Sequence, residues 1–170
     1  MKPYSALAVA NEFIDLAGKN HDVTPMKLMK LVYFAHAWNL GFIGDPLIDE
    51  EFQAWRYGPV SPSLYQAVKG YGDDPVTELL YIDKDWDYEP LRVIPKVDSD
   101  DSESREIIGT VWQVYGSHSA ARLSQITHEL GTPWRQIYDS YNGLIPYWKT
   151  IPDNMIKQYY SEKAKESAEE

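Results

Sequence analysis

The sequence predicts a mainly α (α+β) protein, a compact multi-helix domain built around one central apolar helix with a small β element. Three observations carry this. Thr24-Pro25, Ser61-Pro62 and Thr132-Pro133 each set a hydroxyl before a proline, the pattern of an N-cap followed by a first helical residue whose missing N–H costs nothing. Residues 25–40 are apolar nearly all round at roughly 100° per residue, as a helix surrounded by neighbours must be. Hydrophobic residues form 44% of the 170-residue chain, enough for a core at a length that buries roughly 70% of its unfolded surface.

In chain order, a first helix is expected from Ser5 to near Gly18, with Leu7, Ala10, Ile14 and Ala17 on one face. The second carries two apolar stripes, Leu28, Leu31, Ala35, Trp38 and Met29, Val32, His36, Leu40, with Lys27 and Lys30 as a narrow charged edge. Gly44-Asp45-Pro46 makes a turn, residues 52–55 a short strand, and Tyr57-Gly58-Pro59-Val60 leads into a helix over 62–69. Leu79–Ile82 and Leu91–Ile94 have the composition of a small hairpin. The acidic stretch 97–106 reads as a solvated loop priming the N-terminus of a helix over 104–115. Further helices are expected over 119–130, with Leu123, Ile126, Thr127 and Leu130 on one side, and over 133–140. A last one, over 152–163, docks through Met155, Ile156 and Tyr159. Residues 1–160 form a single domain in this reading, and the charged tail 161–170 frays.

Charge narrows the function. Sixteen Lys and Arg face 26 Asp and Glu, a net charge of −10, whereas a duplex binder needs a basic footprint to displace counterions. Strong nucleic-acid binding is not expected. With no cysteine, a thiol nucleophile, a thiolate metal site and a disulfide framework are excluded, as suits a reducing cytoplasm. The N-terminus has no secretory pattern, and the longest apolar stretch, 31–43, is interrupted by His36 and Asn39 and too short to span a bilayer. The expected setting is the cytoplasm, without membrane association.

No constellation points to catalysis. His21 sits in a loop beside Asp22, and His36 reads as a core imidazole with a satisfied hydrogen bond. His118 precedes a helix that it can cap, and His128 diverges from its neighbour Glu129 on a helix. There is no H-E-x-x-H, no G-x-S-x-G elbow and no glycine-rich phosphate cradle. No enzyme activity, catalytic residue, metal, cofactor or small-molecule ligand is therefore expected. The rival from another class is a hydrolase or transferase using His118 or His128. By contrast, Trp55, Arg56 and Tyr57 have the composition of an interface hot spot, with Gly58-Pro59 fixing a sharp backbone course beneath them. The alternative is that Trp55 and Tyr57 pack inward and Gly58-Pro59 only turns the corner before Ser61.

Three segments together resemble a known family. They are residues 25–38 (PMKLMKLVYFAHAW), 54–65 (AWRYGPVSPSLY) and 123–134 (LSQITHELGTPW). Their order and spacing are similar to those of the Panacea domain, a family of bacterial and phage antitoxins that includes SocA-like proteins. The resemblance implies a helical domain with a small β element that neutralises a cognate toxin protein by direct contact, or alternatively an adaptor that delivers its partner to a cytoplasmic protease. Family members are paired with very different toxins, so the target does not follow. Trp55, Arg56, Tyr57 and Pro59 are the candidate partner-binding residues. Lys30, Tyr33, His36, Gly58, His128, Pro133 and Trp134 are motif residues expected to build the structure. Met29 departs from the family's usual Gln, which removes the amide's polar contact at that position.

Overall fold

Capping sets where the helices begin. In the computed structural model, which describes residues 3–19, 22–86 and 89–169, α1 spans Ala6–Ala17 behind the N-cap Ser5. Helix α2 spans Pro25–Phe42, and Thr24 accepts from the Lys27 N–H. A hairpin follows, β1 (Phe52–Trp55) and β2 (Gly58–Val60). Ser61 then caps α3 (Pro62–Val68), which tightens into a 3-10 turn at Lys69–Tyr71. Strands β3 (Ile82–Trp86) and β4 (Glu89–Val93) form a second hairpin. Helices α4 (Ser102–Tyr115), α5 (Ala120–Thr127) and α6 (Pro133–Ser140) precede the two-residue strand β5 (Thr150–Ile151) and α7 (Asp153–Glu169). Each of the three hydroxyl–proline pairs is a helix start.

Helix α2 is the axis of the molecule. It is buried from Lys27 to Leu40 except at Trp38, and α1, α3, α4, α5, α7 and β2 pack around it. Helix α7 lies closest, because Gly41 leaves room for it: a Cβ there would stand 2.8 Å from the Cβ of Tyr160. On another side Phe34 stacks on Tyr115 at 4.3 Å, and the Trp38 indole donates to the Tyr115 hydroxyl at 2.9 Å, which ties α4 to the axis.

The expected charged edge of α2 is corrected. Lys27 and Lys30 are 2% and 1% exposed. Long aliphatic stems let a buried position deliver its nitrogen to a distant acceptor, Asp22 for Lys27 and the Pro59 carbonyl for Lys30.

The β element is larger than expected. Strand β1 pairs antiparallel with both β2 and β5, in the order β2-β1-β5. Gly58–Val60, expected only to lead into a helix, is itself a strand, too short and too proline-bound to show a period. The second hairpin exists but is displaced, pairing Ile82 with Val93. Leu80 instead sits at its base, where Asn11 accepts from the Leu80 N–H and donates to the carbonyls of Leu80 and Pro95. One buried amide thus clasps both legs.

Three helix ends also differ. Helix α4 begins at Ser102 because Asp101 accepts from the Ser104 N–H. Helix α5 stops at Thr127, whose carbonyl takes the Thr132 hydroxyl, and Leu130 is left 78% exposed rather than on the packed face. Helix α7 continues to Glu169 through the residues expected to fray, with Lys163 paired to Glu166 on its surface. His21 lies outside the described residues.

Candidate functional site

Arg56 and Tyr57 form the two-residue turn of the β1–β2 hairpin, between paired Trp55 and Gly58. Gly58 has φ of +114°, and a Cβ on it would lie 2.6 Å from the Thr127 hydroxyl and 3.0 Å from Lys30 Cε and Nζ. Glycine is required both by the backbone and by the approach of α2 and α5.

Three side chains from three helices hold the backbone around this turn. The Trp134 indole of α6 donates to the Trp55 carbonyl at 2.7 Å, and the Ser124 hydroxyl of α5 to the Tyr57 carbonyl at 2.8 Å. Lys30 of α2 donates to the Pro59 carbonyl at 2.9 Å. Just beyond, the Ser61 N–H points at the Met29 sulfur at 3.2 Å, so the thioether takes a weak version of the bond an amide would accept.

Burial sets the electrostatics beneath the turn. Burial pushes the Lys30 amine down to a pKa of about 7. His128 is also held below its ordinary value, by burial first and then by the positive charges of Lys30 and Arg135. Its ring lies 3.8 Å from that of Trp134, and its Nε2 has no hydrogen-bond partner among the described residues. A neutral ring packed on an indole suits those surroundings.

The four candidate contact residues separate. Arg56 and Tyr57 project, Tyr57 being 55% exposed with the Arg56 guanidinium 5.4 Å from its ring centre. Trp55 is half-buried, edge-on to Tyr65 at 4.8 Å, its indole donating to Gln53. Pro59, also expected in the contact surface, is buried and presents its carbonyl to Lys30. Strand pairing turns it toward α2.

Among the motif residues, Tyr33 is buried between Phe52 and Tyr160, its hydroxyl held well above the ordinary pKa by burial. His36 is fully buried, with Nε2 2.8 Å from Asp153 Oδ1 and Nδ1 accepting from the Ile48 N–H. The proton therefore sits on Nε2. Pro133 is buried at the start of α6. The cap expected of His118 is made instead by Ser119, and the His118 ring faces Tyr115. Among the described residues no group of three or more His, Asp or Glu is placed to hold a metal ion.

Residues 28–135, which contain every side chain that holds the hairpin turn, match the family model described as antitoxin SocA-like, Panacea domain. Antitoxin SocA of Caulobacter vibrioides (strain NA1000 / CB15N) is 32% identical over 156 residues, covering 91% of this chain and 81% of that protein. The chain belongs to the SocA-like Panacea antitoxin family. Membership supports an antitoxin role. No solved structure matches it.

In this Panacea chain the three motif segments meet at one place, because α2, α5 and α6 all bond to the β1–β2 backbone. Of the motif residues, Lys30 and Trp134 bond to the backbone around the turn and Gly58 gives the close approach there, whereas Tyr33 and His36 pack elsewhere in the core.

Sequence reasoning missed the loop before β5. Leu144, Tyr147 and Trp148 are 84%, 83% and 71% exposed. Trp148 has φ of +61°, a left-handed conformation that costs a bulky residue on the order of 1–3 kcal/mol. The loop is pinned where the Lys149 carbonyl accepts from the Ala54 N–H at 2.8 Å. It walls a cavity of about 360 Å³ with Trp55 and Trp134, and Arg56 stands at its rim. On the far side of the turn Arg56 also borders a second cavity of about 450 Å³, lined by Met26, Met29, Lys30 and Tyr65. The signal available was Ile145-Pro146-Tyr147-Trp148, an apolar run with an aromatic pair and no secondary-structure period.

Proposed function

We propose that this chain neutralises a cognate toxin protein by direct contact, with the β1–β2 turn supplying part of the surface. The observation that carries the reading is the pair Arg56–Tyr57, exposed on a turn whose backbone is fixed from three helices. A backbone already held in place need not be ordered on binding, and Arg and Tyr are enriched in measured hot spots. The antitoxin family of the chain agrees with such a role.

The action proposed is binding, without a catalytic step. The two histidines of the enzyme alternative pack on different partners, His118 on Tyr115 and His128 on Trp134. The cytoplasm is the proposed setting, in keeping with the absence of cysteine. Among the described residues no helix is long and apolar enough to cross a membrane.

Co-expression with the product of the adjacent gene tests the reading. A toxin partner should inhibit growth when expressed by itself, lose that effect beside this chain, and co-purify with it. Arg56→Ala should keep the melting temperature, weaken the complex about thirtyfold, or about 2 kcal/mol, and restore toxicity. A normally folded Arg56→Ala that still protects fully removes the turn from the contact.

A further inference from the structure

The loop at 141–149 keeps Tyr147 and Trp148 in water on a backbone that disfavours it. The two rings lie edge to face at 5.1 Å, and Trp148 faces the cavity walled by Trp55 and Trp134. Aromatic rings are large apolar surfaces whose exposure is unfavourable. A left-handed backbone at a bulky residue points toward function at the site that holds it. A cavity of about 360 Å³ is of the size that seats a side chain or small ligand.

Charge says what enters it. Among the described residues no carboxylate lines this cavity, and Arg56 supplies the cation in its lining. Arg92, Lys96, Arg105, Arg122, Arg135 and Lys163 are each paired with an acid, whereas Lys69, Lys84 and Lys165 have no ion pair among the described residues. Arg56 likewise forms no ion pair among the described residues and lies over the Tyr57 ring, so its charge is open to a ligand at the notch. An aromatic notch with the Arg56 guanidinium in its lining complements a ligand that is apolar and anionic together.

We propose that the notch receives a segment of the protein partner in which an apolar or aromatic side chain stands beside an aspartate or glutamate. The side chain enters between Trp55, Trp134 and Trp148, and the carboxylate meets the guanidinium of Arg56. The inference rests on the reading of this chain as a direct binder and names the chemistry its partner supplies there.

A displayed library of random dodecapeptides, panned on the whole protein, provides a test that needs no toxin. Selected peptides should share Phe, Trp or Leu next to Asp or Glu, and the synthetic consensus should quench or shift the tryptophan fluorescence. Arg56→Ala and Trp148→Gly should each weaken that peptide tenfold or more. Trp148→Gly suits the left-handed backbone, so its melting temperature should be unchanged or raised, and lost binding is then not lost folding. No enrichment, a consensus without an acid, or a peptide that binds Trp148→Gly as it binds the wild type overturns the proposal. So does a toxin neutralised equally well by wild type and Trp148→Gly. A wild type that fails to neutralise counts against the direct-binding reading, whereas the peptide selection decides the notch.

Discussion

The Lys30 nitrogen lies 2.9 Å from the Pro59 carbonyl oxygen, buried and without an ion pair among the described residues. Here a long side chain on the central helix serves as a strut. It spans from α2 to the strand behind the exposed turn and ends on a backbone acceptor, so geometry rather than charge pairing gives it its place. A lysine so placed is costly in its charged form, and that cost makes the strut measurable.

Stability should rise with pH because of Lys30. Its folded pKa is about 7 against an ordinary 10.5. Between those values the unfolded chain holds a proton the folded chain lacks, so the folded state gains as pH increases. Below about pH 7 both states are protonated and the contribution is constant. Urea unfolding of wild type and Lys30→Met at pH 7 and pH 9 isolates this group. Wild type should gain about 2 kcal/mol on the variant between the two, and a constant difference would refute the buried-amine assignment.

Gly58→Ala should be severe where Gly70→Ala is mild. The first faces both an unfavourable φ and the Thr127 hydroxyl at 2.6 Å, whereas the second meets nothing within 4 Å. A loss of about 2–4 kcal/mol is expected for Gly58→Ala and under about 1 kcal/mol for Gly70→Ala. Thermal melts of the two variants side by side make the comparison, and equal melting temperatures would contradict the close approach of α5.

His36→Asp should destabilise by about 3–5 kcal/mol. It sets a carboxylate in a fully buried position facing Asp153, the present partner of the imidazole. Acid should narrow the gap to wild type as one of the two carboxylates takes a proton. Chemical denaturation at pH 7 and pH 5 reads both effects, and an unchanged midpoint at pH 7 would count against the central place of His36.

Duplex DNA should bind weakly and without sequence preference. The net charge is −10, and Arg92, Lys96, Arg105, Arg122, Arg135 and Lys163 are already matched by acids, so few counterions would be released. A gel shift on the chain's own upstream region at physiological salt checks this. A specific complex there would overturn it.

The sequence alone determined the features that depend on near neighbours in the chain. Thr24, Ser61 and Thr132 act on amides three residues ahead, so their caps were readable, as was the axial role of α2 from its all-round apolar surface. Tertiary structure decided the features that depend on partners far along the chain. Whether Lys30 faced water or strand β2 turned on a contact 29 residues away, and whether Trp55 was tethered turned on Trp134, 79 residues on. The end of α5 followed from Thr132, and the role of Pro59 from a strand too short to show a period. Tyr147 and Trp148 escaped because burial belongs to the packed whole: an apolar residue in sequence can be core or contact. Only the pinned loop, which holds both rings in water beside Arg56, separates the two.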